Sequence, residues 1–490
     1  MTPTLLEQSV GTLAFAGDLS MGQPPDHSPR VALLAARVAR ETGANAAMQA
    51  TAARLAMLRW AGCTANAREF AELFGDDVRG RAELIAGRNP FVAAEPPNPA
   101  SLHTALVPIS TAHCETVALI CRRLKLPEDL IIASSDFFEN WDGSGLPHGK
   151  AGEDIHEAAQ YVALAGDIEV YTRNFGAARA ALLIESRGGK VHEPGLALAA
   201  SKHMGAWLRD GEGDDPHASA VKVCDLRDLQ PASLTRADIV ALFADYADLK
   251  RPELTGSSRL AQDIARDMAR AAAHSADEIE DIGAAAALSD LGQVAVANTA
   301  YGTGHNDSEA LRLAPHWTER ILSRAPSLAN AAALAGLAYE RMDGSGFSRG
   351  LAAPSQPFEA RIVQVARYAA AGRRLHGLGN DWPVAHLQSR LTEEVNAGRL
   401  DLRAVRLALQ AMGARNLPSA DNYPTTGLTD RERDVLEGLI GGRSNKEIAR
   451  ALDLSPKTVG THVEKLFRKL GVSSRAAAAM VALDAGLITR

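Results

Sequence analysis

Near the end of the chain, Lys457, Thr461, Lys465 and Arg468 recur at the spacing of one helical face, and Val459, Val463, Leu466 and Leu470 recur at the spacing of another. Cationic and hydroxyl side chains held outward by an apolar inner face can bind phosphates and reach base edges in a DNA groove. A second feature is a tetrapeptide, DGSG, that occurs at 142–145 and again at 343–346, after Glu139 and Glu340, each time downstream of a helical stretch that opens with a histidine. Each feature also has a purely structural explanation. A basic helix face can simply be solvated, and His and Asp can cap helices or satisfy core hydrogen bonds. In DGSG the Asp accepts from following amides and the glycines supply positive φ.

The elements that position the basic face are legible from local chemistry. Thr429 and Glu432 form a capping box before a first helix carrying Val435, Leu436 and Leu439, which Gly441–Gly442 end. Ser444 and Glu447 form a second box, opening a short helix with Ile448 and Ala449. Leu452 and Leu454 close the next turn. Ser455 caps a third helix with Pro456 at its first position, and Ser473 or Ser474 caps a fourth through 476–485. A short helix, a tight turn and a basic second helix fit major-groove recognition.

The rest of the chain bounds the setting. With 490 residues, three or four domains are expected. Aromatics are 5% and alanine is abundant, which points to helices. The start, MTPTLLEQSV, has no basic and long apolar pair of regions, and no run of apolar residues suits a membrane span, so a cytoplasmic protein off the membrane is expected. Cys63, Cys114, Cys121 and Cys224 lack metal-binding spacing and read as reduced, buried thiols. The net charge is −7, yet residues 428–490 hold 11 basic and 8 acidic residues, +3 against −10 elsewhere. A basic module on an acidic body fits a DNA-binding domain joined to a larger soluble part.

Breaks at 209–217 (RDGEGDDPH) and 413–427 (GARNLPSADNYPTTG) divide the chain into 1–210, 218–412, a linker at 413–427, and 428–490. The first two pieces repeat an order: an Ala/Leu-rich helix near His27 and near Ser257, a helix opening at His113 and at His316, then NWDGSGLPHG and RMDGSGFSRG. The order resembles the HD-GYP branch of the HD phosphohydrolases, most clearly in ALFADYADLKRPELTGSSRLA, AAALSDLGQVAV, YERMDGSGFSRG and EARIVQVARYAAA. That resemblance implies an all-helical fold, and in active relatives two or three metals that hydrolyse cyclic dinucleotides. Carried over position by position, the ligand set is largely replaced. In the second half the expected ligands fall on Ser257, Ser289, Asp290, His316, Ala338–Tyr339 and Arg367, and the usual Lys falls on Gln293. In the first half they fall on His27, Arg59–Trp60, His113, Phe137–Phe138 and Gly166. Phe137–Phe138 suggest an apolar plug, and Arg367 would repel a cation.

The C-terminal segment resembles the LuxR-type family of bacterial transcription factors through LTDRERDVL, NKEIA and SPKTVGTHVEKLFRKLGV. The resemblance implies that Pro456–Leu470 enters the major groove, with Lys457, Thr458, Thr461, Lys465 and Arg468 as DNA contacts and Asn445 and Lys446 adding phosphate contacts. Gly460 departs from the long or basic residue usual there, and His462 is expected to pack rather than read bases.

The sequence therefore predicts an all-α chain: two HD-GYP-like helical halves followed by a four-helix LuxR-type helix-turn-helix domain. The expected role is a DNA-binding transcription regulator with no catalytic residues, no metal and no cofactor. Double-stranded DNA is the expected partner, a homodimer the expected assembly, and the HD-like region has room for a small-molecule or nucleotide ligand. The rival reading is a metal-dependent cyclic-dinucleotide phosphodiesterase tethered to DNA.

Overall fold

A computed structural model describes residues 2–91, 98–209, 215–301, 309–375, 384–414, 428–440 and 443–470. Most of the 413–427 linker, Gly441–Gly442, the side chain of Leu470 and the expected fourth C-terminal helix lie outside the described residues. Among the described residues regular structure is helical, with only isolated bridges. The helices that carry the argument are, in chain order, α1 (Leu5–Ser20), α2 (His27–Glu41), α3 (Ala46–Leu58), α4 (Pro99–Arg123), α5 (Glu157–Phe175), α6 (Ser257–Ala271), α7 (Ala276–Leu288), α8 (Ala314–Leu322), α9 (Phe358–Leu375), α10 (Asp430–Ile440), α11 (Asn445–Leu452) and α12 (Pro456–Leu470).

The chain divides into two compact units, each discontinuous in sequence. The first comprises 1–251 and 291–329, the second 252–290 and 330–490. In the first unit α1 starts from a Thr4–Glu7 capping box and is buried along almost its whole length. Around it α2 packs on α3 and α5. All four cysteines are buried and unpaired. By length and composition α4 could cross a membrane. It also buries His113, Cys114 and Cys121 and contains Pro108 and exposed Glu115. In the second unit α6 packs on α7 and α9, and Ser275 with Glu278 boxes the start of α7.

The repeated tetrapeptide builds the same turn twice. The Asp142 carboxylate accepts from Ser144 N–H at 3.0 Å and Oγ at 2.6 Å, and Asp343 accepts from Ser345 at 2.9 and 2.7 Å. Glu139, 5% exposed, accepts from the amides of His148 and Lys150 at 2.8 and 2.9 Å. Glu340, 1% exposed, accepts from those of Arg349 and Leu351 at 2.7 and 2.9 Å. Gly143 and Gly344 have φ of 81° and 78°, where a side chain would be strained. Both carboxylates are thus committed to backbone amides, and the duplication read from the motif order recurs as a duplicated hydrogen-bond network.

Candidate nucleic-acid interface and the arginine pockets

The capping boxes form as the sequence predicts. Thr429 N–H donates to Glu432 at 2.8 Å and Glu432 N–H returns to Thr429 Oγ1 at 3.3 Å. Ser444 and Glu447 exchange the same bonds before α11. Ser455 Oγ accepts from Thr458 N–H at 3.0 Å, and α12 begins at Pro456. Lys469 Nζ reaches Glu432 at 2.7 Å, tying the end of α12 to the start of α10. Leu428, Val435, Leu436, Leu439, Ile448, Val459, Val463 and Leu466 form one core cluster.

The opposite face of α12 presents Lys457, Thr458, Thr461, Lys465 and Arg468, all exposed. The Thr461 hydroxyl donates to the Lys457 carbonyl at 3.2 Å, which leaves its lone pairs outward. On α11 Lys446 is exposed and Asn445 half-buried. Glu447 shares that helix start, and the Ser444 amide and hydroxyl hold its carboxyl below the usual range. Sequence reasoning passed over exposed Arg450, one helical turn beyond Lys446, and exposed Glu464, which puts a negative charge on the basic face. His462 is half-buried, with Nδ1 shielded and without a hydrogen-bond partner among the described residues. At Gly460 an added Cβ would meet no atom within 4 Å.

In the first unit the positions His27, Arg59, Trp60, His113, Phe138 and Gly166 converge on one cavity of about 300 Å³. His27 Nδ1 lies 2.7 Å from Glu169 Oε2, both buried. Burial opposes the Glu169 charge, but His27 and then Arg173 hold its carboxyl down at about 2. His113 Nε2 lies 2.7 Å from the Arg59 carbonyl, and burial pushes its pKa down to about 3, leaving the ring neutral. Phe137 and Phe138 pack edge-on to that ring at 5.8 and 4.8 Å, the apolar plug expected from sequence. The Arg59 guanidinium lies 4.5 Å over Trp60 and donates to the Val162 carbonyl at 3.2 Å. Burial lowers its pKa to about 10, which leaves it charged at neutral pH. An added Cβ on Gly166 would stand 2.6 Å from Arg59 Nη1, so the missing side chain makes the room that the guanidinium uses.

In the second unit Arg367 Nε donates to Asp290 at 2.6 Å and the Tyr339 hydroxyl donates to the same oxygen at 2.5 Å. The guanidinium lies 3.5 Å over the Tyr339 ring. Burial opposes the Arg367 charge, and Asp290 more than offsets it, so its pKa is raised. Ser257 and Ser289 are buried. His316 is exposed on α8, which groups with the first unit as part of 291–329.

Comparison with known proteins follows this geometry. The model of bacterial regulatory proteins of the luxR family matches residues 426–482. The chain carries a LuxR-type DNA-binding domain. The HD domain model matches residues 241–376. The nitrate/nitrite response regulator protein NarP of Escherichia coli is 45% identical over 75 residues, 15% of this chain and 35% of that protein. The transcriptional regulatory protein YhcZ of Bacillus subtilis is 41% identical over 98 residues, covering 20% and 45%. The chain thus spans less than half the length of these regulators. The 3'3'-cGAMP-specific phosphodiesterase 3 of Vibrio cholerae is 23% identical over 398 residues, 74% of this chain and 85% of that one. A crystal structure of cyclic GMP-AMP specific phosphodiesterases from V. cholerae aligns with a TM-score of 0.57 at 20% identity, over 85% of this chain and 99% of that one. That likeness shows a shared helical fold.

Among the described residues no group of three or more His, Cys, Asp or Glu is placed to hold a metal ion. Asp290 is paired with a guanidinium, His113 Nε2 with a backbone carbonyl, and His27 Nδ1 with Glu169. In the LuxR-type domain, by contrast, α12 holds its basic residues outward.

Proposed function

We propose that this protein is a cytoplasmic transcription regulator that acts as a homodimer through its LuxR-type domain, and that its HD-GYP-like region has given up hydrolysis for a sensing or dimerising role. In this reading Lys457 and Arg468 hold phosphates, Thr461 and Lys465 read base edges, Thr458 lies at the groove rim, and Asn445 and Lys446 add phosphate contacts. The observation that carries the non-catalytic half is the Arg367 guanidinium 2.6 Å from Asp290, where a phosphodiesterase would need a metal. A two-metal hydrolysis requires ions about 3.5–4 Å apart, each with several protein ligands, and a guanidinium held on the surviving carboxylate supports the non-catalytic reading. The resemblance to a cyclic-dinucleotide phosphodiesterase over most of the chain favours one rival reading, a tethered enzyme.

The test has two arms. Mapping the protein on its own genome is expected to give discrete sites with inverted-repeat symmetry. Purification with manganese or iron, followed by metal counting and a cyclic-dinucleotide hydrolysis assay, is expected to give neither stoichiometric metal nor turnover. Bound metal with turnover lost in Asp290→Ala would establish the rival.

A further inference from the structure

The first-unit cavity has walls of two kinds. Trp60, Phe70, Phe138 and Tyr171 give it aromatic surface, with Ile109 and Leu146 between them. Its volume, about 300 Å³, is at the small end of ligand sites, enough for one or two fused rings. The charges that line it are three arginines and one carboxylate, Arg59, Arg81, Arg187 and Asp167.

These charges do not cancel. Arg81, 2% exposed, is fully committed: it donates to the carbonyls of Ser20 and Cys63 at 3.2 and 2.7 Å and to Asn66 at 2.7 Å, and stands 3.5 Å from Asp77. Arg187 pairs with Asp167 at 3.1 Å, and Asp167 also meets His192 at 2.8 Å. His27 is balanced by Glu169. Arg59 is the remainder. Its one hydrogen bond goes to a neutral carbonyl, its Nε is shielded from solvent with no partner, and no carboxylate ion-pairs with it among the described residues; Asp167 is near enough to favour its charge but is held directly by Arg187 and His192. A shielded guanidinium whose neighbouring carboxylate is shared with other cations is costly unless something supplies more negative charge.

We propose that this cavity binds a small aromatic monoanion, its ring system against Trp60 and Phe138 and its single anionic group on Arg59. The chemistry separates this ligand from a cyclic dinucleotide. One surplus cation answers one negative charge rather than two phosphates, and the volume takes a bicyclic ring system rather than a pair of nucleotides. A planar carboxylate can also bridge two guanidinium N–H groups, which suits Arg59, whose Nε has no partner. The proposal rests on the reading of the HD-like region as non-catalytic, because a metal centre would need the space that Arg59 occupies.

The experiment is calorimetric titration of the full-length chain with 2-naphthoate and with its neutral counterpart 2-naphthamide. Saturable binding of one naphthoate per chain is expected, with naphthamide at least tenfold weaker. Arg59→Met should weaken naphthoate at least tenfold and bring the two ligands level. Gly166→Asp provides a second route that keeps Arg59: its Cβ makes the guanidinium shift and its carboxylate neutralises it, which should cause the same selective loss, so a misfolded Arg59→Met would leave the question decidable. Circular dichroism melts check that each variant folds. Equal affinity for acid and amide, naphthoate binding indifferent to both substitutions, or no saturable binding would overturn the proposal. The underlying reading fails separately, through metal-dependent turnover of a cyclic dinucleotide, which this titration does not measure.

Discussion

Reversing the charge at Lys465 tests the groove assignment most directly. The outward face of α12 carries Lys457, Lys465 and Arg468 against Glu464, a net of +2, all exposed. Lys465→Glu takes that face to zero. The core side of the helix is untouched, because Val459, Val463 and Leu466 lie on the other face. The new carboxylate would sit four residues before Lys469 and three before Arg468, both favourable helical spacings. Stability should therefore change by no more than about 0.5 kcal/mol. Binding should not be spared. Loss of a base-edge contact costs about 1–3 kcal/mol, and each phosphate neutralisation removed lowers the salt slope by about 0.9. The expected outcome is a loss on the order of tenfold to a hundredfold for the specific site. Fluorescence anisotropy with a site taken from genome mapping, across a salt series, measures both quantities. Wild-type affinity with an unchanged salt slope would refute the placement of α12 in the groove.

Gly460→Ala should stabilise α12 by about 0.5–1 kcal/mol, since a Cβ there meets nothing, and slowed hydrogen exchange of the helix amides checks it; weaker DNA binding in the same variant would mean that the glycine admits the sugar-phosphate backbone. Arg367→Met strands Asp290 and should cost about 2 kcal/mol in urea unfolding, less than for a fully buried pair because both side chains keep some solvent contact; Asp290→Asn on top should recover part of it. Glu340→Ala removes the acceptor of two backbone amides in the second turn and should cost about 3 kcal/mol by the same measurement. His113, neutral in the fold, has its pKa depressed to about 3, so the unfolded chain takes up its proton first as pH falls. Stability should drop by about 1.4 kcal/mol per pH unit below about 6.5 and stop dropping near the folded value, and His113→Gln should flatten that slope.

What could be read from the sequence was local. The three caps of the LuxR-type domain depend on residues three apart, so Thr429–Glu432, Ser444–Glu447 and Ser455–Thr458 were visible as letters and recur as hydrogen bonds. The DGSG turn was legible for the same reason. The grouping of 291–329 with the first unit was not, because no local rule says with which body a segment packs. Nor did the sequence announce Glu169 as the partner of His27, 142 positions away, although it lies one helical turn past Gly166 on α5. Reading Arg367 as a residue that repels a metal was sound electrostatics, but it missed the converse, that a carboxylate left without a metal calls for a cation. Tyr339, read only as a missing histidine, supplies that carboxylate's second donor.

That converse explains why the two ligand sets diverged in different directions. A carboxylate retained in a half-dry pocket must be neutralised, and an arginine can stand where a metal stood, with stacking on an aromatic ring in place of coordination. The second unit follows this route: Asp290 remains, and Arg367 and Tyr339 close on it. In the first unit the corresponding acid is gone. Trp60 takes its place, Gly166 stands at the position that Arg367 holds in the second unit, and the arginine comes instead from the position before Trp60. With no acid to meet, Arg59 settles over the indole and against a carbonyl, which orients a guanidinium without cancelling its charge. Substituting a cation for a metal thus leaves the second site electrically closed and the first one open. The same argument assigns the two sites different tolerances. Arg367 should be replaceable only together with Asp290, whereas Arg59 should be replaceable alone at small cost to folding, its loss registering in what the cavity binds.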